Sequence, residues 1–197
     1  MTLFYDAVMA DDSLPRCEWV GDDALYQRYH DEEWGVPLHG DRELFEKLSL
    51  EAFQSGLSWI TILRRREGFR AAFRNFDMEA VAAFDDTDVQ RLLDDNGIIR
   101  NRAKIEATIH NARVLQEWVS GDPGALDTLV WSHAPAARPR RLTSINELPA
   151  QTDESRALAK ALKSRGWKFV GPTTAYALMQ SAGLVDDHVE GCWRATP

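Results

Sequence analysis

The sequence predicts an all-α fold in one compact unit. Apolar residues recur at helical spacing along most of the chain, whereas the strict alternation that is typical of strands is nearly absent. Capping residues and glycine stops bound several of these periodic segments. The 197 residues, of which 44% are hydrophobic, are enough for one substantial core. Only the stretch 121–150, rich in Pro, Arg and Ala, lacks a regular pattern.

The first half of the chain contains four predicted helical segments. The first begins with Asp41 as its N-cap and ends near Gly56. A short helix is predicted over residues 68–75, and Asp77 and Thr87 are predicted to cap the next two segments. The apolar positions that follow helical spacing in this half are Leu44, Phe45, Leu48, Phe53, Met78, Val81, Phe84, Val89, Leu92 and Leu93.

The second half contains three predicted helices. After Gly97 the pattern restarts at Asn101 with a long apolar stripe. A later helix stops at Gly166, and a last one opens with Pro172 in its first turn and stops at Gly183. The stripes are Ile105, Ile109, Ala112, Leu115 and Trp118, then Leu158, Ala161 and Leu162, then Ala175, Leu178, Met179 and Ala182.

Composition argues against several classes of protein. No run of about 18 apolar residues occurs, so no membrane-spanning helix is expected. Residues 1–15 form an acidic extension, expected to be flexible, without the basic residues and long apolar run of a secretory signal. Two cysteines without the spacing of a disulfide scaffold indicate a reducing, cytoplasmic setting.

The charge distribution bears on nucleic-acid binding in two opposite ways. The net charge of −8 argues against a nucleic-acid partner, because phosphate binding usually depends on a basic surface. The basic residues are concentrated, however, in clusters at 64–66, 100–104, 138–141 and 163–168. Most clusters of this kind are solvated faces, so each is only a candidate for ligand contact.

Two cysteines and two histidines near the chain ends are a candidate set of metal ligands. His188 and Cys192 are four residues apart and can face one point, while Cys17 and His30 lie on separate pieces of chain. Zinc binds Cys2His2 sets in a closed tetrahedron, which makes such an ion structural. Spacing alone favours the alternative that the cysteines are small buried residues and the histidines ordinary core or surface groups. A disulfide is less favoured in a cytosolic chain.

Residues 87–110 form a candidate DNA-binding hairpin. A capped helix, a break at Gly97 in a left-handed conformation and a second helix opening at Asn101 leave free backbone N–H groups beside the positive end of a helix dipole. Such groups can clamp a phosphate, although plain packing is the commoner use of two adjacent helices. The candidate DNA contacts of this hairpin are Gly97, Ile98, Arg100, Arg102 and Lys104.

Five segments carry a resemblance to a known family. They are RCEWVGDDALYQRYHDEEWGVP, LEAFQSGLSWITIL, GIIRNRAKI, RGWKFVGPTTAYALMQSAGL and DDHVEGC. In this order, from about residue 16 to residue 192, they closely resemble the bacterial 3-methyladenine DNA glycosylase I family, to which YHDEEWG and E-x-x-Q-x-G-L-S-W are specific. The resemblance implies a helix-hairpin-helix glycosylase domain over residues 16–197, in which residues 16–35 and 184–193 form a small zinc-binding lobe that joins the two ends.

The resemblance also implies roles for individual residues. Glu51 matches the family's pocket glutamate and is the expected catalytic residue, although periodicity alone leaves open whether its side chain is buried or reaches solvent. One structural zinc ion is expected on Cys17, His30, His188 and Cys192. The expected base-binding aromatics are, in order, Tyr29, Trp59, Trp19, Trp34 and Tyr26, some of which are expected to be plain core residues.

The implied activity is monofunctional excision of 3-methyladenine from alkylated double-stranded DNA, by base flipping and hydrolysis of the N-glycosidic bond, as the first step of base excision repair. Methylation at N3 makes adenine a good leaving group, so no strong general acid is needed. The catalytic aspartate and the Schiff-base lysine of other helix-hairpin-helix glycosylases have no match beyond the hairpin, so no lyase activity is expected. The chain is expected to act as a monomer.

A flipped nucleotide leaves a gap in the duplex, and Leu57 after Gly56 is the candidate wedge to fill it. A helix C-cap followed by a buried leucine is the commoner arrangement. Thr173 and Thr174 are further candidates for contact with phosphate or pocket water.

Two alternatives to this activity stay open. The first is a non-catalytic DNA-binding module that only senses lesions, against which Glu51 and the aromatic set argue, because a pure binder needs no acidic pocket of base size. The second is a glycosylase for a different alkylated base, which depends on the width of the pocket beside Trp59.

Overall fold

The computed structural model describes residues 14–137 and 140–195. Within these ranges the chain forms ten α-helices and two short 3₁₀ helices and has no β-strand, which confirms the predicted fold class. Apart from its last two residues, the acidic extension lies outside the described residues. No helix in the described part is both long and apolar enough to cross a membrane.

The helices follow one another with short connections. In chain order they are α1 (Ala24–Glu32), α2 (Asp41–Gln54), α3 (Trp59–Leu63), α4 (Arg66–Ala72), α5 (Met78–Ala82), α6 (Asp86–Asp94), α7 (Arg102–Gly121), α8 (Ala125–Trp131), α9 (Asp153–Ser164) and α10 (Pro172–Ser181). The 3₁₀ helices cover Arg74–Phe76 and Ile145–Glu147.

The core has a large and a small part. In the large part α2 is buried nearly all round, and its Phe53 packs on Phe69 of α4 with ring centroids 4.7 Å apart. The small part joins residues from both ends of the chain, among them Cys17, Tyr29 and Cys192. Burial of these two apolar clusters is the main favourable contribution to folding.

Local capping signals account for several helix boundaries. Asp77 accepts a hydrogen bond from the backbone N–H of Ala80 and caps α5, and Asn101 accepts one from Lys104 and caps α7, as predicted. Positive φ angles of 90° at Gly166 and 75° at Gly183 follow the ends of α9 and α10. These predictions held because each signal lies within a few residues of the boundary that it sets.

Asp41 does not cap its own helix, which corrects the prediction. Gly40 occupies the N-cap position of α2. The Asp41 carboxylate instead accepts the backbone N–H groups of Gly124 and Asp127 at 2.8 and 3.0 Å, and so caps the start of α8. Helix α8 lies within the stretch that was predicted to be irregular. The prediction missed this helix because its cap is supplied by a distant part of the chain.

Two further boundaries were also predicted wrongly. Asp85, not Thr87, caps α6, since its carboxylate accepts the backbone N–H groups of Thr87 and Asp88. The short helix predicted over residues 68–75 starts at Arg66 and ends at Ala72, because residues 74–76 adopt left-handed φ angles of 52–54°.

Gly97 serves close packing and is not in the left-handed conformation, contrary to expectation. A Cβ atom on Gly68 of α4 would lie 2.5 Å from the Gly97 carbonyl oxygen, which is too close for any side chain. The turn between α6 and α7 therefore rests directly on the backbone of α4.

Candidate active site and metal-ligand cluster

A cavity of about 220 Å³ lies beside the C-terminal half of α2, a size that suits one flat ring system. All five aromatic residues predicted for the base pocket line it, together with Glu51. Five further lining residues were not predicted from the sequence, and three of them come from the last turns of α10. The lining consists of Trp19, Tyr26, Tyr29, Trp34, Glu51, Gln54, Trp59, Leu148, Ala177, Gln180 and Ser181.

The aromatic residues form one continuous wall. The ring centroids of Tyr29 and Trp59 are 5.5 Å apart, and Trp19 lies 4.8 Å from Tyr26 and 5.1 Å from Trp34. Tyr29 and Trp34 are buried, so they are core residues and cavity residues at once. The buried indole N–H of Trp59 has no hydrogen-bond partner among the described residues, and it is a donor that a ligand can satisfy.

Glu51 is buried at the edge of this cavity, with 4% of its surface exposed. Its carboxylate accepts a hydrogen bond of 3.0 Å from the Ser181 hydroxyl. Burial raises the pKa of Glu51 to about 7, against the opposing effects of the Lys47 charge and the Ser181 hydrogen bond. The alternative that this side chain reaches solvent is therefore excluded.

This arrangement suits a flat ring that carries a hydrogen-bond donor. The aromatic faces favour an electron-poor ring system. The carboxylate of Glu51 has lone pairs beyond the one that Ser181 uses, and they can accept an amino group of the ligand. The cavity thus provides stacking and one charged acceptor.

The four predicted metal ligands converge on one point, and their donor atoms all lie within 4.8 Å of one another. Cys192 Sγ is 3.4 Å from His30 Nε2 and 3.6 Å from His188 Nδ1, and Cys17 Sγ is 3.8 Å from His188 Nδ1. A tetrahedron with metal–ligand bonds of about 2.0–2.3 Å has edges of about 3.3–3.8 Å. The set therefore fits a metal ion with four protein ligands.

The protonation chemistry of the cluster supports this fit. Both cysteines are free thiols, so no disulfide competes. Burial and the neighbouring His30 lower the pKa of His188 to about 4, which leaves the imidazole in the neutral form that binds metals. Burial raises the pKa of the Cys17 thiol to about 12, and a divalent cation is the kind of partner that reverses such a shift.

Asp31 orients the cluster and was missed by sequence analysis. His30 Nδ1 lies 2.8 Å from its carboxylate, so that Nε2 is directed at the cysteines. The same carboxylate accepts hydrogen bonds from Arg16 and from the indole N–H of Trp193. Burial works against ionisation, but these three hydrogen bonds prevail and lower the pKa of Asp31 to about 2. Asp31 thereby connects the two ends of the chain.

The metal-ligand cluster and the aromatic wall are in direct contact. The Trp34 ring lies 4.6 Å from the His188 ring, and the Trp19 ring lies 5.4 Å from the His30 ring. The cluster therefore holds one side of the cavity in place.

The loop after α2 is exposed. Residues 55–58 are all open to solvent, Gly56 has a φ of 85°, and Leu57 is 40% exposed. The alternative of a buried leucine after a helix cap does not apply here. A large exposed apolar side chain beside a cavity suits contact with a partner.

The basic residues of the hairpin between α6 and α7 differ in their exposure to solvent. Arg100 and Arg102 are exposed, and Arg102 forms an ion pair of 3.3 Å with Glu106. The Ile98 side chain is buried. No described residue accepts a hydrogen bond from the backbone N–H of Ile98, which leaves this group for a ligand.

Lys104 has a different role from the phosphate contact expected for it. It is buried, and its ammonium donates hydrogen bonds to the carbonyl oxygens of Phe53 and Ser55 at 2.9 and 2.7 Å. These carbonyls lie at the C-terminal end of α2, where helical partners are missing. We therefore assign Lys104 to the positioning of the exposed loop.

The substitution Lys104→Met should lower the free energy of unfolding by about 1–3 kcal/mol, because two carbonyl groups lose a charged donor. Urea denaturation followed by circular dichroism measures this change. The matched control is Arg102→Met on the exposed face of α7, which should change the stability by less than about 0.5 kcal/mol. Equal effects of both substitutions would refute the assigned role.

The basic cluster at 64–66 is engaged in contacts within the molecule. In the cluster 64–66, Arg64 pairs with Asp23, Arg65 donates to the Asn96 carbonyl and Arg66 pairs with Glu33. Residues 138 and 139 of the third cluster lie outside the described residues.

Fold and site together define an all-α protein with an acidic, aromatic-walled pocket of base size and a terminal Cys2His2 cluster. The sequence model of the methyladenine glycosylase family matches residues 19–195. The chain belongs to this family.

Individual relatives agree with the family. DNA-3-methyladenine glycosylase 1 of Escherichia coli (strain K12) is 51% identical over 183 residues, which cover 91% of this chain and 96% of that protein. A crystal structure of 3-methyladenine DNA glycosylase I matches with a TM-score of 0.87 and 48% identity, covering 92% of this chain and 100% of the other. A Staphylococcus aureus structure that addresses 3-methyladenine recognition matches with a TM-score of 0.83 and 33% identity, covering 90% and 95%.

Proposed function

We propose that this protein is a monofunctional DNA glycosylase that releases 3-methyladenine from alkylated DNA by hydrolysis of the N-glycosidic bond. The observation that carries the proposal is the buried Glu51 carboxylate in a cavity walled by Tyr29 and Trp59. The names of the relatives support it, since they are glycosylases for this base.

The base fits the chemistry of the cavity. The 6-amino group of adenine donates hydrogen bonds, and the ionised Glu51 accepts them. The ring system stacks on the aromatic wall, where the rings of Tyr29 and Trp59 are inclined to each other by 43°. The buried indole N–H of Trp59 can donate to a ring nitrogen.

The leaving group determines what Glu51 has to do. N3-methylated adenine departs as a neutral base, so the bond breaks without protonation by a strong acid. Glu51 then acts by binding and orienting the flipped base, while the sugar develops oxocarbenium character and water attacks it. Closure of the site around a flipped base also excludes bulk water from these contacts.

The metal-ligand cluster is proposed to hold one structural Zn²⁺. Two thiolates and two imidazoles are a common zinc donor set, and the four side chains are all buried. When bound, the ion supplies a cross-link between the two ends of the chain and offers no open coordination position. Cys17, His30, His188 and Cys192 hold it, and Asp31 orients His30.

The proposed partner is alkylated double-stranded DNA, bound by a monomer in the reducing cytoplasm. Leu57 with Gly56 is the proposed wedge. The backbone of Gly97 and Ile98 and the exposed Arg100 and Arg102 are the proposed phosphate contacts. Acidic charge elsewhere on the chain weakens long-range attraction to DNA, and local contacts of this kind compensate for it.

The substitution Leu57→Ala should slow base release from duplex DNA roughly tenfold, because the gap left by the flipped nucleotide stays unfilled. Binding of free 3-methyladenine should stay unchanged, since Leu57 does not line the cavity. Single-turnover release and quenching of tryptophan fluorescence measure the two quantities. Leu57→Met keeps an apolar side chain of similar length and is the control that should retain most of the rate. A loss of both release and base binding would contradict the wedge role.

Base release from N-methylated duplex DNA tests the proposed function. The free bases are separated by chromatography after incubation with the purified protein. Release of 3-methyladenine with little 7-methylguanine is the expected result. Release of mainly another base would favour a glycosylase of different specificity. Binding to alkylated DNA without any release would favour the non-catalytic module and overturn the proposal.

A further inference from the structure

Lys47 is a second buried charge on α2, one helical turn before Glu51. Its side chain is 9% exposed, and burial lowers the pKa of its ammonium. Within the described residues no acceptor forms a hydrogen bond with this ammonium, in contrast to Lys104, which two carbonyl groups hold. The ammonium opens onto a cavity and is not a fully enclosed polar atom, so hydrogen bonds within the protein do not account for its position beside the base pocket.

The ammonium of Lys47 contacts the two principal rings of the base pocket. It lies 5.2 Å from the ring centroid of Tyr29 and 5.4 Å from that of Trp59, both within the range of cation–π attraction. Lys47 lines a second cavity, of about 530 Å³, and approaches the rings from there. Ser181, which donates to Glu51, lines both cavities.

The charges around Lys47 leave Glu51 as its natural counter-ion. Residues four apart on a helix lie on the same face, and the Lys47 charge acts on the Glu51 carboxylate although the two form no direct ion pair. Two other carboxylates close to Lys47 already have guanidinium partners, because Glu33 pairs with Arg66 and Glu46 pairs with Arg70. A third carboxylate on the same cavity, Glu32, is exposed to solvent.

The remaining groups near the pair cannot replace Lys47. Ser181 on α10 is neutral, and burial raises the pKa of both Tyr26 and Tyr29 on α1, so that these phenols stay neutral as well. Around the second cavity, Arg42 pairs with Glu43, and Glu67 pairs with Arg70. Lys47 is therefore the cation that acts on Glu51.

We infer that Lys47 is a positioning residue of the base pocket, whose ammonium, on the outer side of the aromatic wall, keeps Glu51 in its charged, hydrogen-bond-accepting form. The inference rests on the proposed function, in which Glu51 accepts the amino group of the base. Lys47 does not contact the base itself. Its effect reaches the base through Glu51 and through the ring faces of Tyr29 and Trp59.

The direct test is the titration of Glu51 in the free protein, by NMR of ¹³C-labelled glutamate carboxyl groups, with the Glu51→Gln protein used for assignment. In Lys47→Met the midpoint should move upward from that of the natural protein by about one pH unit. Lys47→Arg keeps the charge and should stay near the natural midpoint. Lys104→Met removes the other buried lysine that packs on α2 and should not move the midpoint either. Lys47→Gln serves the same purpose if the methionine variant does not fold.

The second measurement is base release as a function of pH. Lys47→Met should shift the acid limb of the profile upward and lower the rate at pH 7 about fivefold, with Lys47→Arg close to the natural profile. An equal loss of rate at every pH, with an unmoved carboxyl midpoint, would overturn the inference and leave Lys47 a structural role. Failure of the natural protein to release any base would instead refute the proposed function, while the NMR titration would still decide whether Lys47 controls the charge of Glu51.

Discussion

Replacing Glu51 by glutamine should reduce the release of 3-methyladenine about 100-fold or more. The amide keeps the shape of the side chain, and its carbonyl oxygen can still accept the hydrogen bond from Ser181. Its NH₂ group, however, opposes the amino group of the base with a second donor, and the negative charge is lost. A lost charged hydrogen bond together with an unsatisfied buried donor amounts to about 3 kcal/mol, which corresponds to roughly 100-fold in rate.

Single-turnover release from methylated duplex DNA measures this effect. Glu43→Gln, on the same helix but partly exposed and paired with Arg42, is the matched control and should retain the natural rate. Comparable losses of rate in both variants would show that Glu51 has no specific role in the site.

The raised pKa of Glu51 also predicts how the substitution Glu51→Gln affects the stability of the protein at different pH values. Burial raises the pKa of Glu51 in the folded protein to about 7, above its unfolded value. Between these two pKa values the folded state binds more protons, so the contribution of Glu51 to stability is present at low pH and is lost as the pH rises to about 7. Glu51→Gln should therefore lose activity without losing stability at pH 7. Base release in the natural protein should rise with pH through the same region, because the ionised carboxylate is the form proposed to accept the amino group of the base.

Substitution of His188 by alanine should lower the free energy of unfolding by about 3–5 kcal/mol, by analogy with the loss of a native cross-link. The ligand set joins residues that are 171 positions apart, and closure of so long a loop is costly in entropy. Because Trp34 contacts the His188 ring, the aromatic wall should also lose order and base binding should weaken.

Chemical denaturation with and without a strong chelator, together with metal analysis, measures the effect. The chelator should destabilise the natural protein and leave His188→Ala unchanged. His39→Ala removes a histidine whose side chain is 60% exposed, and it should bind metal and unfold like the natural protein. If chelation had no effect and both variants were equally stable, the cluster would not be a metal site.

The parts of the fold that were predictable depend on local signals. Helix α7 was predicted from Asn101 and its apolar stripe, and the stop of α10 from Gly183, because the deciding residues are close in sequence. Helix α8 was not predictable, since its cap, Asp41, lies 83 residues before Gly124. The conformation of Gly97 was missed for a similar reason, because its contact is with Gly68 on another helix.

The candidate site was likewise only partly predictable, because several of its features depend on contacts between residues that are distant in sequence. Periodicity could not decide the burial of Glu51, because α2 is buried nearly all round and has no clear outer face near its end. The resemblance located Glu51 and the aromatic residues, but the hydrogen bond from Ser181 spans 130 residues of sequence. The role of Lys47 depends on contacts with α1 and α3, which no local pattern reports.

The order in which the chain is synthesised gives the terminal cluster a consequence of its own. Cys17 and His30 leave the ribosome long before the partners that they need, since 171 residues separate Cys17 from His188. At about 5–20 residues per second, the first thiol waits roughly 10–30 s for the second pair of ligands. The aromatic wall belongs to the early part of the chain, but Ala177, Gln180 and Ser181 complete the lining of the cavity, so the pocket cannot be finished until translation has almost ended. A nascent chain therefore has neither a finished pocket nor a complete ligand set until both ends of the protein have been made.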